Sequence, residues 1–324
     1  MFDKLSRGTI PEEHNMTPDL SVRIVSGKSR ELDLSNPVMT ASGTFGYGTE
    51  YAELIDIQRL GAIVCKGIFL DPREGNPQPR LFETASGVLN SIGLQGIGVE
   101  ALIREKAPVW AGWQVPVLVN IAGNSIDEYA ELARRLATVP GIGGLEVNIS
   151  CPNVKAGGAV FGAVPETAAQ VTAAVKAATS LPVLVKLTPN NTDIVKVAAA
   201  VEQAGADALT VTNSIKGMAV DIRKRKPFFA NTAAGLSGPA IKPLALALVW
   251  DVAGAVKIPV VGCGGIYTAQ DAIEFLMAGA CAVQVGSATF ANPRASLDIL
   301  EGITAFMEKE GIQSLREIVG AARK

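Results

Sequence analysis

Apolar residues along the chain gather into eight short runs separated by stretches of helical period. The runs are VMTAS (38–42), AIVCKG (62–67), PVLVNIA (116–122), LEVNIS (145–150), PVLVKLT (182–188), ALTVTNS (208–214), PVVGCGGI (259–266) and AVQVGSA (282–288). They are rich in Val, Ile and Leu and barely alternate with polar residues, the pattern of strands covered on both faces of a parallel sheet. The intervening stretches carry helix punctuation. SIDEYAELARRLA has Ser125 and Glu128 at capping-box spacing and puts Ile126, Tyr129, Ala133 and Leu136 on one face. TDIVKVAAAVEQAG predicts a threonine cap at its first residue, Thr192, and a left-handed stop at Gly205; TAQDAIEFLMAGA repeats that scheme from Thr268 to Gly279. Eight strand–helix units predict an α/β fold, a (β/α)8 TIM barrel with a parallel eight-stranded core, an open doubly wound sheet being the alternative. Residues 1–20 read as a flexible N-terminal extension and 21–324 as a single barrel domain.

Three connections are long enough to be inserted loops, after strands 2, 4 and 6. Residues 68–100 and 215–240 exceed simple turns, and 152–163 is Gly-rich. Long connections in compact domains serve as lids or binding segments, and the loop at 152–163 is read as mobile. The RKRK run at 223–226 reads as a solvated loop, with a docking patch as the alternative.

Composition narrows the function. Lys plus Arg number 29 against 31 Asp plus Glu, a net charge of −2, so the basic footprint of a nucleic-acid binder is missing. The greasiest stretch, residues 244–262, is interrupted by Asp251 and Lys257, and the polar start lacks the apolar core of a signal peptide. Neither a membrane span nor export is expected. Cysteines at 65, 151, 263 and 281 form no C-x-x-C pair, so no metal or iron–sulfur ligand set is expected here, and a reducing cytoplasm fits. His14 is the single histidine and lies in the polar leader. Proton transfer therefore falls to Cys, Lys, Tyr or a carboxylate.

Ser42, Lys66, Asn120, Asn148, Lys186, Asn213 and Ser214 all fall near the C-terminal ends of expected strands, where barrel active sites sit. One such residue is readily a satisfied polar group, but seven on one rim point to a site. The two lysines imply an electron-rich occupant, since ammonium groups are rarely buried without an anionic partner. The last two strands end in GCGGI and GSA, whose Gly264, Gly265, Gly286 and Ser287 offer backbone N–H groups to a phosphate, tight turns being the alternative. No G-x-G-x-x-G occurs, so no Rossmann-type nicotinamide site is indicated.

The ordered motifs ASGTFGYG, CKGI, NSIGLQ, VNIAG, VNISCPN, VKLTPN, TVTNS, GLSGPAIKP, GCGGI and GSA resemble the class 1 dihydroorotate dehydrogenases over nearly the whole chain. ASGTFGYG and the length resemble the catalytic flavin subunit of the NAD-linked type B enzymes. The resemblance implies an enzyme of pyrimidine (UMP) biosynthesis that oxidises (S)-dihydroorotate to orotate, with one FMN per subunit as hydride acceptor. By motif, Ser42, Lys66, Gly67, Asn120, Asn148, Lys186, Thr212, Gly238, Gly264, Gly265, Gly286 and Ser287 would hold FMN. Lys66, Asn90, Ser91, Ile92, Gly93, Leu94, Asn148, Asn213 and Ser214 would hold the pyrimidine. The resemblance also implies a homodimer at the core of a heterotetramer. Its partner, an iron–sulfur flavoprotein carrying FAD and a [2Fe-2S] cluster, would pass electrons to NAD.

Under that reading Cys151 is the catalytic base for the C5 proton. Its thiol would titrate near ~8.5 unless neighbours shift it. Pro152 would end the strand, and Gly157–Gly158 would hinge a lid over the substrate. Lys186 would stabilise negative charge on the reduced ring. Cys65, Cys263 and Cys281 read as packing residues. The alternatives are a dihydropyrimidine-type flavin oxidoreductase acting on uracil or thymine, a flavin-free barrel lyase, and a non-enzymatic binding barrel.

Overall fold

A computed structural model of the chain describes residues 17–25, 30–149, 158–190 and 193–324. The eight apolar runs form β1 (Val38–Thr40), β2 (Ile63–Val64), β3 (Val117–Ile121), β4 (Gly144–Asn148), β5 (Val183–Lys186), β6 (Ala208–Val211), β7 (Val260–Cys263) and β8 (Ala282–Val285). The sheet runs β1-β8-β7-β6-β5-β4-β3-β2, with every hydrogen-bonded pair parallel. A parallel bridge between Met39 and Ala62 joins the two edges and closes the barrel. Every residue of the eight strands is buried, which is why their sequences fail to alternate. Each buried Val or Leu side chain contributes about 1.5–3 kcal/mol relative to exposure.

Among the described residues six longer helices wrap the barrel: α1 (Ile126–Leu136), α2 (Pro165–Ala178), α3 (Ile194–Gln203), α4 (Lys242–Ala255), α5 (Ala269–Met277) and α6 (Ala295–Glu310). α1 buries Tyr129, Leu132, Ala133 and Leu136, while Ile126 is only half-buried. The Glu128 N–H donates to Ser125 Oγ at 3.2 Å, but the Glu128 carboxylate turns to the backbone N–H of Asn124, so the capping box at this end is half made. α3 is capped by Asp193, whose Oδ1 accepts from Lys196 N at 3.1 Å. This replaces the expected threonine cap; Thr192 itself lies outside the described residues. At α5 the capping box between Thr268 and Asp271 is complete. Gly205 and Gly279 follow their helices at φ +94° and +115°, as a left-handed stop requires.

The two longest connections are not independent loops. Strands Ile215–Gly217 and Ala234–Ser237 from one pair with Gly87–Asn90 and Leu81–Thr84 from the other in a single four-stranded antiparallel sheet. Gly235 sits opposite Asn90, and a small separate core of Leu89, Phe229 and Ala234 consolidates the sheet. Gly238, at φ +108°, lets the connections approach: a Cβ there would lie 2.5 Å from Gly87 Cα. The RKRK run is exposed, on the hairpin of Val220–Asp221 and Lys226–Pro227. After β4, residues 158–163, expected within a Gly-rich loop, are helical (Gly158–Ala163). Asp19 bridges Ser314, so residues 17–20 run beside the C-terminal segment. No helix among the described residues is long and apolar enough to cross a membrane.

Candidate active site

The C-terminal ends of the barrel strands open into one cavity, walled on one side by the antiparallel sheet. The seven polar residues at the strand ends all line it: Ser42, Lys66, Asn120, Asn148, Lys186, Asn213 and Ser214. Gly67, Thr212, Gly264, Gly265, Gly286 and Ser287 line it as well, as do Asn90, Ile92, Gly93 and Leu94 from the sheet and its flank. Two expected residues do not. Gly238 follows the strand Ala234–Ser237 and packs against Gly87, and Ser91 is buried with its oxygens accepting from Asn76 Nδ2 at 3.1 Å. Cys151, Pro152 and Gly157 lie outside the described residues.

The floor of the cavity is a polar network inside the barrel. Glu146, wholly buried in β4, accepts from Asn120 Nδ2 (2.7 Å), Thr210 Oγ1 (2.9 Å) and Gln284 Nε2 (2.6 Å). Its carboxylate lies 3.8 Å from the Lys186 ammonium, which also donates to Gln284 Oε1 at 3.1 Å. Sequence reasoning missed Glu146, Thr210 and Gln284. It also assigned Lys186's counter-charge to a ligand, whereas the protein supplies one. Burial alone would depress the Lys186 pKa; the facing Cys263 sulfur and the Glu146 carboxylate outweigh it, and the net direction is upward. Cys263 is no mere packing residue: it lines the cavity with Sγ 3.9 Å from Lys186 Nζ.

Lys66 differs. Among the described residues its ammonium meets no hydrogen-bond or ion-pair partner, and burial pulls its pKa below the ordinary lysine value, with Glu50 opposing. A half-buried cation at a cavity wall favours an anionic occupant. Asn148 is held from behind, where Tyr129 on α1 donates to its backbone carbonyl at 2.8 Å. Asn90 donates to Gly235 O at 3.2 Å across the sheet.

Opposite lies a backbone cradle. Gly264 and Gly265 adopt φ +134° and +75°, and a Cβ on Gly265 would lie 2.6 Å from the backbone nitrogen of Lys242. Gly286 and Ser287 lead from β8 into the short helix Ala288–Ala291, with Tyr267 donating its hydroxyl to Ser287 Oγ at 3.1 Å. The N-terminus of α5 is occupied by its own capping box. Donors for an anion here are therefore the glycine turn and the start of the helix after β8.

The family model for dihydroorotate dehydrogenase matches residues 25–307. The chain belongs to the dihydroorotate dehydrogenase family. A relative from Geotalea uraniireducens is 53% identical over 304 residues, covering 94% of this chain and 98% of its own length. Another, from Desulforamulus reducens, is 57% identical over 295 residues, 91% and 97% of the two chains. A third, from Trichlorobacter lovleyi, is 54% identical over 306 residues, 94% and 99%. Each is named dihydroorotate dehydrogenase B (NAD(+)), catalytic subunit. The family match spans all eight barrel strands together with both connections that form the cavity wall.

Proposed function

We propose that this chain is the catalytic subunit of an NAD-linked dihydroorotate dehydrogenase, oxidising (S)-dihydroorotate to orotate in pyrimidine biosynthesis with FMN as hydride acceptor. The observation that carries the reading is a single cavity joining a glycine cradle after β7 and β8, the Lys66 cation and a floor of Asn120, Asn148 and Lys186. Family membership and the relatives' shared name support it.

These residues fit FMN. The turn at Gly264–Gly265 and the start of the helix after Ser287 present backbone N–H groups suited to its phosphate. Lys186 is a fixed cation for the negative charge that gathers at a flavin's pyrimidine edge. Asn90, Asn148, Asn213 and Ser214 both donate and accept, matching the amide edges of a dihydropyrimidine, and Lys66 matches its carboxylate.

Oxidation takes a proton from C5 and a hydride from C6. Bound in this cavity, FMN supplies the flat hydride acceptor that no side chain offers. Cys151, two residues beyond the last described residue of the β4 segment, takes the C5 proton as a thiolate and becomes a thiol. The lid read from the sequence after Cys151 would exclude water from the ring; its residues 152–157 lie outside the described residues.

Electrons then leave through a second subunit. The chain holds no dinucleotide fingerprint and no cysteine pair for a cluster. An iron–sulfur flavoprotein carrying FAD and [2Fe-2S], docked on a homodimer of this chain in a cytoplasmic heterotetramer, would pass them to NAD.

Anaerobic addition of dihydroorotate to the FMN-loaded chain tests the reading. Bleaching of the flavin band by dihydroorotate but not by dihydrouracil is expected. A flavin that stays oxidised with dihydroorotate refutes it.

A further inference from the structure

Glu146 is fully buried beneath the cavity and does not line it. A carboxylate only accepts hydrogen bonds, so the groups around it are forced to turn donors inward. Gln284 points Nε2 at Glu146, and its Oε1 is thereby directed to Lys186. Asn120 points Nδ2 at Glu146. Its Oδ1 is left on the side of Asn148, whose Nδ2 lies 3.4 Å away, and of Gly67, where a Cβ would come within 3.0 Å of that oxygen. Both of those residues line the cavity.

We infer that Glu146 is the positioning residue of the cavity floor. Its charge holds Lys186 as an ammonium, and its acceptor-only edge fixes which way the amides of Asn120 and Gln284 present themselves to the flavin. The inference rests on the FMN reading for the identity of the ligand. It goes further in assigning the electrostatics of the floor to a side chain that touches neither flavin nor substrate.

The Glu146→Gln substitution keeps the shape and removes both effects. A glutamine at this position must turn an NH2 toward one of three donors, so Asn120 or Gln284 has to reverse. Lys186 loses its carboxylate and keeps its burial, so its ammonium sheds a proton more readily. Four groups face that ammonium: Glu146 from β4, Gln284 from β8, Cys263 from β7 at 3.9 Å and Ser42 from the segment after β1 at 3.5 Å. Cys263 is the other titratable one.

The test uses the full chain stripped of FMN and titrated with it, followed by the flavin midpoint potential as a function of pH. For E146Q, FMN affinity falls about tenfold or more, the scale of one charge-assisted bond. The potential gains a break that wild type lacks, falling further as pH rises. That break persists when Cys263→Ser is added, since it belongs to Lys186. Val201→Ala, a buried truncation in α3 away from the cavity, serves as the control for lost stability and retains wild-type affinity and pH profile. Wild-type behaviour of E146Q in both readouts overturns the assignment, as does an equal change in V201A. Wild type that fails to bind FMN overturns the functional reading, and this inference with it.

Discussion

Two glycines with nearly the same backbone problem and opposite surroundings separate conformational cost from crowding. Gly205, after α3, has φ +94° and open space around the position of a Cβ; Gly265 has φ +75° and would bring a Cβ to 2.6 Å from Lys242 N and 2.7 Å from Lys242 Cα. Gly205→Ala therefore carries only the left-handed penalty, about 1–2 kcal/mol. Gly265→Ala carries that and a clash with backbone at the start of α4, adding about 1–3 kcal/mol of overpacking. The expected losses are about 1–2 and about 2–5 kcal/mol, against a total domain stability of about 5–15 kcal/mol. Urea unfolding of the FMN-free protein measures both. Titration with FMN supplies the second axis: a displaced turn at Gly265 loses a phosphate donor and weakens binding about tenfold or more, while G205A binds as wild type. Equal stability losses in the two variants would refute the crowding argument, and undiminished FMN affinity in a destabilised G265A would remove the turn from the phosphate site.

Lys66→Met should lower kcat/KM for dihydroorotate about ten- to a hundredfold, the loss of a charge-assisted bond. Because burial lowers the Lys66 pKa in the folded state, the unfolded chain binds this proton more tightly; wild-type stability thus rises as pH approaches 10.5 from below, and the methionine variant lacks that rise. Cys151→Ser should retain FMN yet lose most turnover, and the wild-type rate should climb with pH until the thiol is ionised near ~8.5; unchanged rate and pH dependence would dismiss Cys151 as the base. Asp271 resists the upward push of burial: Lys242 at 2.6 Å and the N–H groups of Tyr267 and Thr268 hold its carboxyl below 3.8. Asp271→Asn should cost about 1–3 kcal/mol near neutral pH. The difference from wild type should be constant above pH 3.8 and shrink as pH falls through the folded carboxyl's titration; a gap that persists in acid would mean the charge is not its source.

The barrel was legible because burial on both faces leaves a mark in each strand separately: PVLVNIA and PVLVKLT need no knowledge of their neighbours. The rim was legible for the same reason, since Lys66, Asn120 and Lys186 sit where strands end whatever lies beside them. What escaped was pairing. Glu146 stood in plain view as a charge in the middle of LEVNIS, but its partners are 26, 64 and 138 residues away, and no local pattern links them. That omission also misassigned the counter-charge of Lys186. The cavity wall was hidden likewise, because Asn90 and Gly235 meet only across 145 residues. At α3 the cap moved by one residue, as Thr192 and Asp193 are both good capping types and only backbone geometry chooses between them.

The sheet at the barrel mouth ties two distant insertions into one object. Neither segment has a complete set of strand partners without the other, so each is a template for its counterpart's shape. Engineers who wish to retune what the cavity accepts cannot graft one insertion from a cousin enzyme and keep the native second. A chimera must exchange both together.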